Sequence, residues 1–161
     1  MDNNQVLLNF ITASIVKGNI VDVIGIFDTF GGEKHVPNDP RYMILVYIIA
    51  IYKKNLSVRD EMRTKILTSY SDSAEAKFVD CFSKKISIID QIRELKKIVN
   101  QYPDFALGYF YLSNFYYEVG NLEKSVQSLE NGNNRIGNDE NIENGIRLMR
   151  LKNYIRKNNE S

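Results

Sequence analysis

Three residues of the kind that start helices fall on one 34-residue grid: Asn19, Ser87 and Asn121. Gly18-Asn19-Ile20 and Gly120-Asn121-Leu122 lie 102 residues apart, and Ser87-Ile88 stands 68 residues after the first and 34 before the second. The side-chain oxygen of Asn or Ser can accept from the free N–H groups of a helix's first turn, which makes both good N-caps. Asp22 and Asp90 follow Asn19 and Ser87 by three residues, a loose form of the capping box. Ser57 with Asp60 supplies the start in the remaining unit, off the grid. A fixed interval between helix starts implies like units, each too small to bury its apolar face alone, that pack on their neighbours.

Apolar residues at spacings of three and four fill in the helices between these starts. A first helix near Gln5 to Val16 carries Leu7, Leu8, Phe10, Ile11 and Ile15, and a second runs from Ile20 to about Phe30 and closes at Gly31-Gly32. Asp39-Pro40 restarts the chain, with aspartate as cap and proline at the first helical position, where its missing N–H costs nothing. Helices over 40–53 and about 58–69 follow, the latter with Val58, Met62 and Ile66 inward. The next pair spans 74–84, with Phe78, Val79 and Phe82, and 88–101, with Ile92, Leu95 and Val99. Expected hairpins therefore cover about 5–31, 40–69, 74–101 and 105–132 of one domain over 1–161. A last helix over about 140–157 places Ile142, Ile146, Met149 and Ile155 mostly on one side as a cap for the final unit. No stretch alternates with period two, so the expected class is all-α.

The stretch Tyr102 to Gly132 gives the pattern in most detail. Tyr109 is followed by Leu112, the small Ser113 and Tyr116; past the Gly120-Asn121 turn come small Ser125, bulky Leu129 and small Gly132. This resembles one tetratricopeptide repeat, with pattern W-x2-L-G-x2-Y then A-x3-F. Tyr109 stands at the tryptophan, Leu112 and Tyr116 match, Ser113 replaces the glycine, and Ser125 and Leu129 replace the alanine and phenylalanine. Gly137 falls where the family has its proline. In the other units Ile11, Val46 and Val79 take the first small position, and Val23, Val58 and Gln91 the second, so those repeats are degenerate. The resemblance implies antiparallel hairpins stacked as a short right-handed superhelix with a C-terminal capping helix.

The same resemblance implies a concave groove lined by first helices and occupied by a segment of another protein. Carried over unit by unit, the partner-binding positions are Leu8, Thr12 and Ile15, then Met43, Tyr47 and Ala50, then Phe110, Asn114, Tyr117 and Glu118; Asp80, Ser83 and Lys84 make the third unit polar there. Two first helices are richer in apolar and aromatic residues than one packing face needs. Tyr42 to Tyr52 is apolar all round, which implies burial on every side or a partner. Tyrosine-rich concavities suit recognition because they offer large area, little rotamer entropy to lose and an orienting hydroxyl. The competing reading is that these residues fill a closed interior or a homodimer contact.

Elsewhere the residues argue against chemistry. The lone His35 sits in a loop without convergent partners, and Cys81 lies on an apolar helix, where a core role is expected. Asp60-Glu61 and Asp139-Glu140 stand at helix starts, where the helix dipole accounts for acids. Lys84-Lys85 and Lys96-Lys97 are too sparse for a nucleic-acid surface, and the net charge of +1 asks for none. The single cysteine excludes an intramolecular disulfide and a multi-thiolate metal site. The longest apolar run is eleven residues, too short to span a membrane, and Met1-Asp2-Asn3-Asn4 lacks the basic start of a signal peptide. The expectation is a cytoplasmic, non-catalytic protein-binding module without cofactor or metal. Its architecture is also similar to the tetratricopeptide chaperones of bacterial type III secretion, which shield translocator or needle subunits. The alternative class is a self-assembling structural protein with the 42–52 helix as its dimer core.

Overall fold

A computed structural model describes residues 3–19, 21, 23–25 and 36–160. Among these the regular structure is helical and there is no strand. The expected helix over 20–30, its Gly31-Gly32 stop and His35 lie largely outside the described residues. The chain divides into two compact units, Met1–Lys85 and Ile86–Ser161.

The first unit contains α1 (Asn3–Val16), α2 (Pro40–Tyr52), α3 (Leu56–Ser69) and α4 (Ala74–Ser83). Helix α2 packs against α1, α3 and α4, and α3 also packs against α4. Nine consecutive α2 residues, Tyr42 to Ala50, are buried. Since a run of that length covers every face of a helix, α2 is the core of its unit. Asp39 starts it: its carboxylate accepts from the Arg41 N–H at 2.9 Å and holds the Arg41 guanidinium on both oxygens, the shortest contact 2.6 Å. The same guanidinium donates to Gln5 Oε1 at 3.0 Å, tying α1 to the start of α2.

One turn design recurs in both units. Gly18, Lys54 and Gly120 all have positive φ (79, 55 and 77°) and each precedes an asparagine. The N–H groups of Asn19, Asn55 and Asn121 reach back to the carbonyls of Ser14, Ala50 and Tyr116 at 2.9, 2.9 and 2.8 Å. Those of Gly18, Lys54 and Gly120 reach Ile15, Ile51 and Tyr117 at 3.0, 3.1 and 3.0 Å, completing Schellman closures. Asn55 and Asn121 then cap the next helix, accepting from Val58 N and Lys124 N. Asn55, and not Ser57, therefore starts α3. The left-handed residue before it is a lysine, so the glycine that marks the other two turns in the sequence is missing.

The second unit contains α5 (Ile88–Gln101), α6 (Ala106–Glu118), α7 (Leu122–Arg135) and α8 (Glu140–Asn159), each packed on the next. Ser87 caps α5, accepting from Asp90 N at 3.1 Å and donating to the Asp90 carboxylate at 2.7 Å. Small residues set the helix separations. Ser113 and Ser125, both buried, meet across α6 and α7 with their hydroxyls 3.1 Å apart, and Ser125 Oγ donates to the Ser113 carbonyl at 2.8 Å. A methyl group on Gly132 would stand 2.8 Å from the buried Phe110 ring, and one on Gly108 only 2.6 Å from Val99 of α5. Arg135 closes the α7 end, donating to the Pro103 carbonyl and lying 4.1 Å from the Tyr109 ring centroid.

Helix α8 differs from its expected form. Ile142 and Ile146 are buried, but Ile155 is 50% exposed. Nine residues beyond Ile146 is two and a half turns, so Ile155 points to the opposite side.

Candidate functional site

The expected groove positions divide sharply. Leu8, Thr12, Ile15, Met43, Tyr47, Ala50 and Phe110 are buried, whereas Asn114, Tyr117 and Glu118 are exposed. The buried set has identifiable work within the fold. Thr12 Oγ1 donates to the Leu8 carbonyl at 2.8 Å, one turn back. Phe110 fills the space above Gly132. Tyr47 belongs to the all-round burial of α2; desolvation pushes its phenol up in pKa, with Arg59 and Arg63 pulling the other way. These are interior side chains and do not line an open groove. In the third unit Asp80, Ser83 and Lys84 are exposed and polar as expected, Asp80 and Lys84 forming an ion pair at 2.6 Å.

Asn114, Tyr117 and Glu118, the exposed three, belong to the second unit and lie at the α6 end that leads into the α6–α7 turn. Tyr117 is 48% exposed and Val119 40%. Next to them lies a cleft of about 360 Å³, lined by Val119 to Glu123 on one side and Asn153, Arg156 and Lys157 of α8 on the other. Asn153 Oδ1 is buried there and accepts no hydrogen bond among the described residues. The cleft is polar at its α8 side and carries the first turn of α7, whose N–H groups favour acceptors. Lys152 Nζ lies 6.0 Å from the Tyr117 ring centroid, so the aromatic and the basic edge are neighbours.

The candidate chemical groups are placed otherwise. Cys81 is buried on α4. Asp60 pairs with Arg59 at 2.7 Å and Glu61 with Lys65 at 2.6 Å. Asp139 caps α8, accepting from the N–H groups of Asn141 and Ile142 at 3.0 and 3.1 Å. Among the described residues no three His, Cys, Asp or Glu side chains are grouped to hold a metal, and no helix is long and apolar enough to cross a membrane. Among the described residues Glu75 is the one buried acid; desolvation raises its carboxyl above the usual range, partly countered by hydrogen bonds from its own backbone and Ser73. Asp39 is held below its usual value chiefly by the Arg41 hydrogen bond.

Two features were not anticipated from the sequence. Asn133 is 1% exposed and supports the α7–α8 loop from within. Leu148, Leu151 and Ile155 form an exposed stripe on α8. Their spacing of three and four was a visible signal, masked by the inward set Ile142, Ile146 and Met149 on the same helix. No family model, curated protein or solved structure matches the chain.

Proposed function

We propose that the chain is a non-catalytic, tetratricopeptide-like helical module that binds a segment of another protein at the α6–α7 end of its second unit. The observation that carries this reading is the exposed Tyr117, set with Asn114 and Glu118 at the end of α6 beside a cleft edged by Arg156 and Lys157. A half-exposed tyrosine next to polar groups offers apolar area together with an orienting hydroxyl. The repeat-like sequence of Tyr102 to Gly132 supports the same reading, because its two small positions, Ser113 and Ser125, meet each other between α6 and α7.

The site is smaller than the groove expected from the sequence. A type III secretion chaperone, the narrower form of this reading, needs a continuous apolar concavity; Leu8, Met43, Tyr47 and Phe110 are taken up by the core. Self-assembly through α2 loses its basis for the same reason, since α2 leaves only Arg41, Ile51 and Tyr52 exposed. The deciding experiment is co-purification from the native host with mass spectrometry of what stays attached. Tyr117→Ala is expected to release the partner while circular dichroism stays unchanged. Undiminished retention by Tyr117→Ala would remove this site.

A further inference from the structure

The outer face of α8 carries an apolar stripe that the fold of the second unit does not use. Leu148, Leu151 and Ile155 are 68, 55 and 50% exposed, with Tyr154 beside them at 66%. Their spacing of three and four puts the aliphatic three on one line along the helix. The inward line of the same helix, Ile142 and Ile146, is already packed. A terminal capping helix of a repeat array needs a polar outer face to stay soluble, and α8 presents the reverse.

Charge says what could cover it. From Asn144 to Asn159 the helix carries Arg147, Arg150, Lys152, Arg156 and Lys157, and no carboxylate. Arg147 lies one turn before Leu151 and Lys152 one turn after Leu148, so a cation flanks each side of the stripe. A second copy of the chain is a poor occupant. Antiparallel pairing that lays Leu148 against Ile155 sets Arg147 against Arg156, and parallel pairing sets each cation against itself. An anionic membrane is also a poor fit: the stripe extends for only about two turns, or ~11 Å, and adsorption strength scales with apolar area buried. Three of the five cations lean to the body of the unit besides: Arg150 on Glu130, Lys157 3.8 Å from Glu123, and Lys152 6.0 Å from the Tyr117 ring centroid.

We infer that the outer face of α8 docks an acidic amphipathic helix of another protein, apolar side chains on the stripe and carboxylates against Arg147 and Lys152. The inference deepens the protein-binding reading and rests on it; its apolar stripe lies on a face of α8 other than the one that edges the cleft, and Lys152, near Tyr117, borders both. Three probes test it on the full chain: a fluorescent helical peptide with leucine on one face and glutamate on the other, its lysine-for-glutamate counterpart, and phosphatidylcholine vesicles containing phosphatidylserine. The acidic peptide is expected to bind saturably, more weakly as salt rises. Leu148→Ser with Leu151→Ser should weaken it by about tenfold or more. Arg147→Glu with Lys152→Glu should exchange the preference to the basic peptide, a result that unfolding cannot produce. Failure of the acidic peptide to bind, equal binding of both peptides, or binding that the serine variant retains would each overturn the inference. So would vesicle binding without peptide binding, or a dimer that Leu151→Ser dissociates. Partner retention from the host that depends on Tyr117 but not on Leu148 and Leu151 would overturn it too, while leaving the protein-binding reading intact.

Discussion

Asn133 on α7 grips the backbone of Asp139 from both sides, its Oδ1 accepting from the Asp139 N–H at 2.9 Å and its Nδ2 donating to the Asp139 carbonyl at 3.3 Å. Asp139 in turn caps α8, so one buried amide fixes where the last helix begins. Asn133→Ala removes both bonds and leaves the half-buried Asp139 N–H and carbonyl without their partner, at a cost of roughly 1–3 kcal/mol. Urea unfolding measures it; a change below 1 kcal/mol would mean that the loop holds itself.

Two glycines on neighbouring helices should respond with opposite signs. Gly132→Ala drives a methyl group into the buried Phe110 ring, and such overpacking costs about 1–3 kcal/mol, more than the ~1 kcal/mol alanine returns in helix propensity. At Gly145 an added Cβ meets nothing within 4 Å, so Gly145→Ala should stabilise by about 0.5–1 kcal/mol. Paired thermal melts would show Tm falling for the first and rising for the second.

Tyr47 and Tyr117 were equivalent groove candidates by sequence but are unlike in the fold, at 5 and 48% exposure. Tyr47→Ala opens a cavity in α2's surroundings and should lower stability by about 3 kcal/mol or more. Tyr117→Ala should change stability by less than ~1 kcal/mol and act on partner retention instead. Equal melting losses for the two variants would contradict this division.

Lys54 holds the left-handed position that Gly18 and Gly120 hold in the other two turns. A side chain there costs roughly 1–2 kcal/mol relative to glycine, so Lys54→Gly should stabilise the first unit by about 1 kcal/mol, less some unfolded-state entropy. A chemical denaturation midpoint that does not rise would argue against this turn.

Glu75 and Asp39 predict opposite pH responses. Glu75 has a raised folded pKa because burial disfavours its charge, so the folded state holds its proton longer than the unfolded one. Stability from this group is complete below its ordinary value of 4.5 and is lost as pH rises through the higher folded value. Asp39, lowered by Arg41, supplies stability above its ordinary 3.8 and loses it as pH falls through its folded value. Glu75→Gln should therefore gain on the wild type as pH rises above 4.5, and a difference that stays flat as pH rises from there would refute the assignment.

The helices were legible because their ends carry local chemistry: Asp39-Pro40, Ser87, and the Gly-Asn turns at 18–19 and 120–121 each act on their own next few residues. Asn55 was harder to see because Lys54 lacks the glycine signature. The groove was not legible. Periodicity says that Tyr47 and Phe110 lie on a face, but not whether another helix covers that face, and in α2 every face is covered. Ser113 and Ser125 were identified as small positions, yet only their packing shows that both hydroxyls bond across the helix pair. On α8 two apolar lines share one helix, and the inward one absorbed Ile155 into the wrong set.

The burial of α2 on every side has a kinetic meaning. A helix with one dry face can peel away and leave its neighbours standing; one enclosed from Tyr42 to Ala50 has no such exit. Its amides meet solvent when the helices packed around it, α1, α3 and α4 among the described residues, part together, so the first unit opens as a whole or keeps its centre shut.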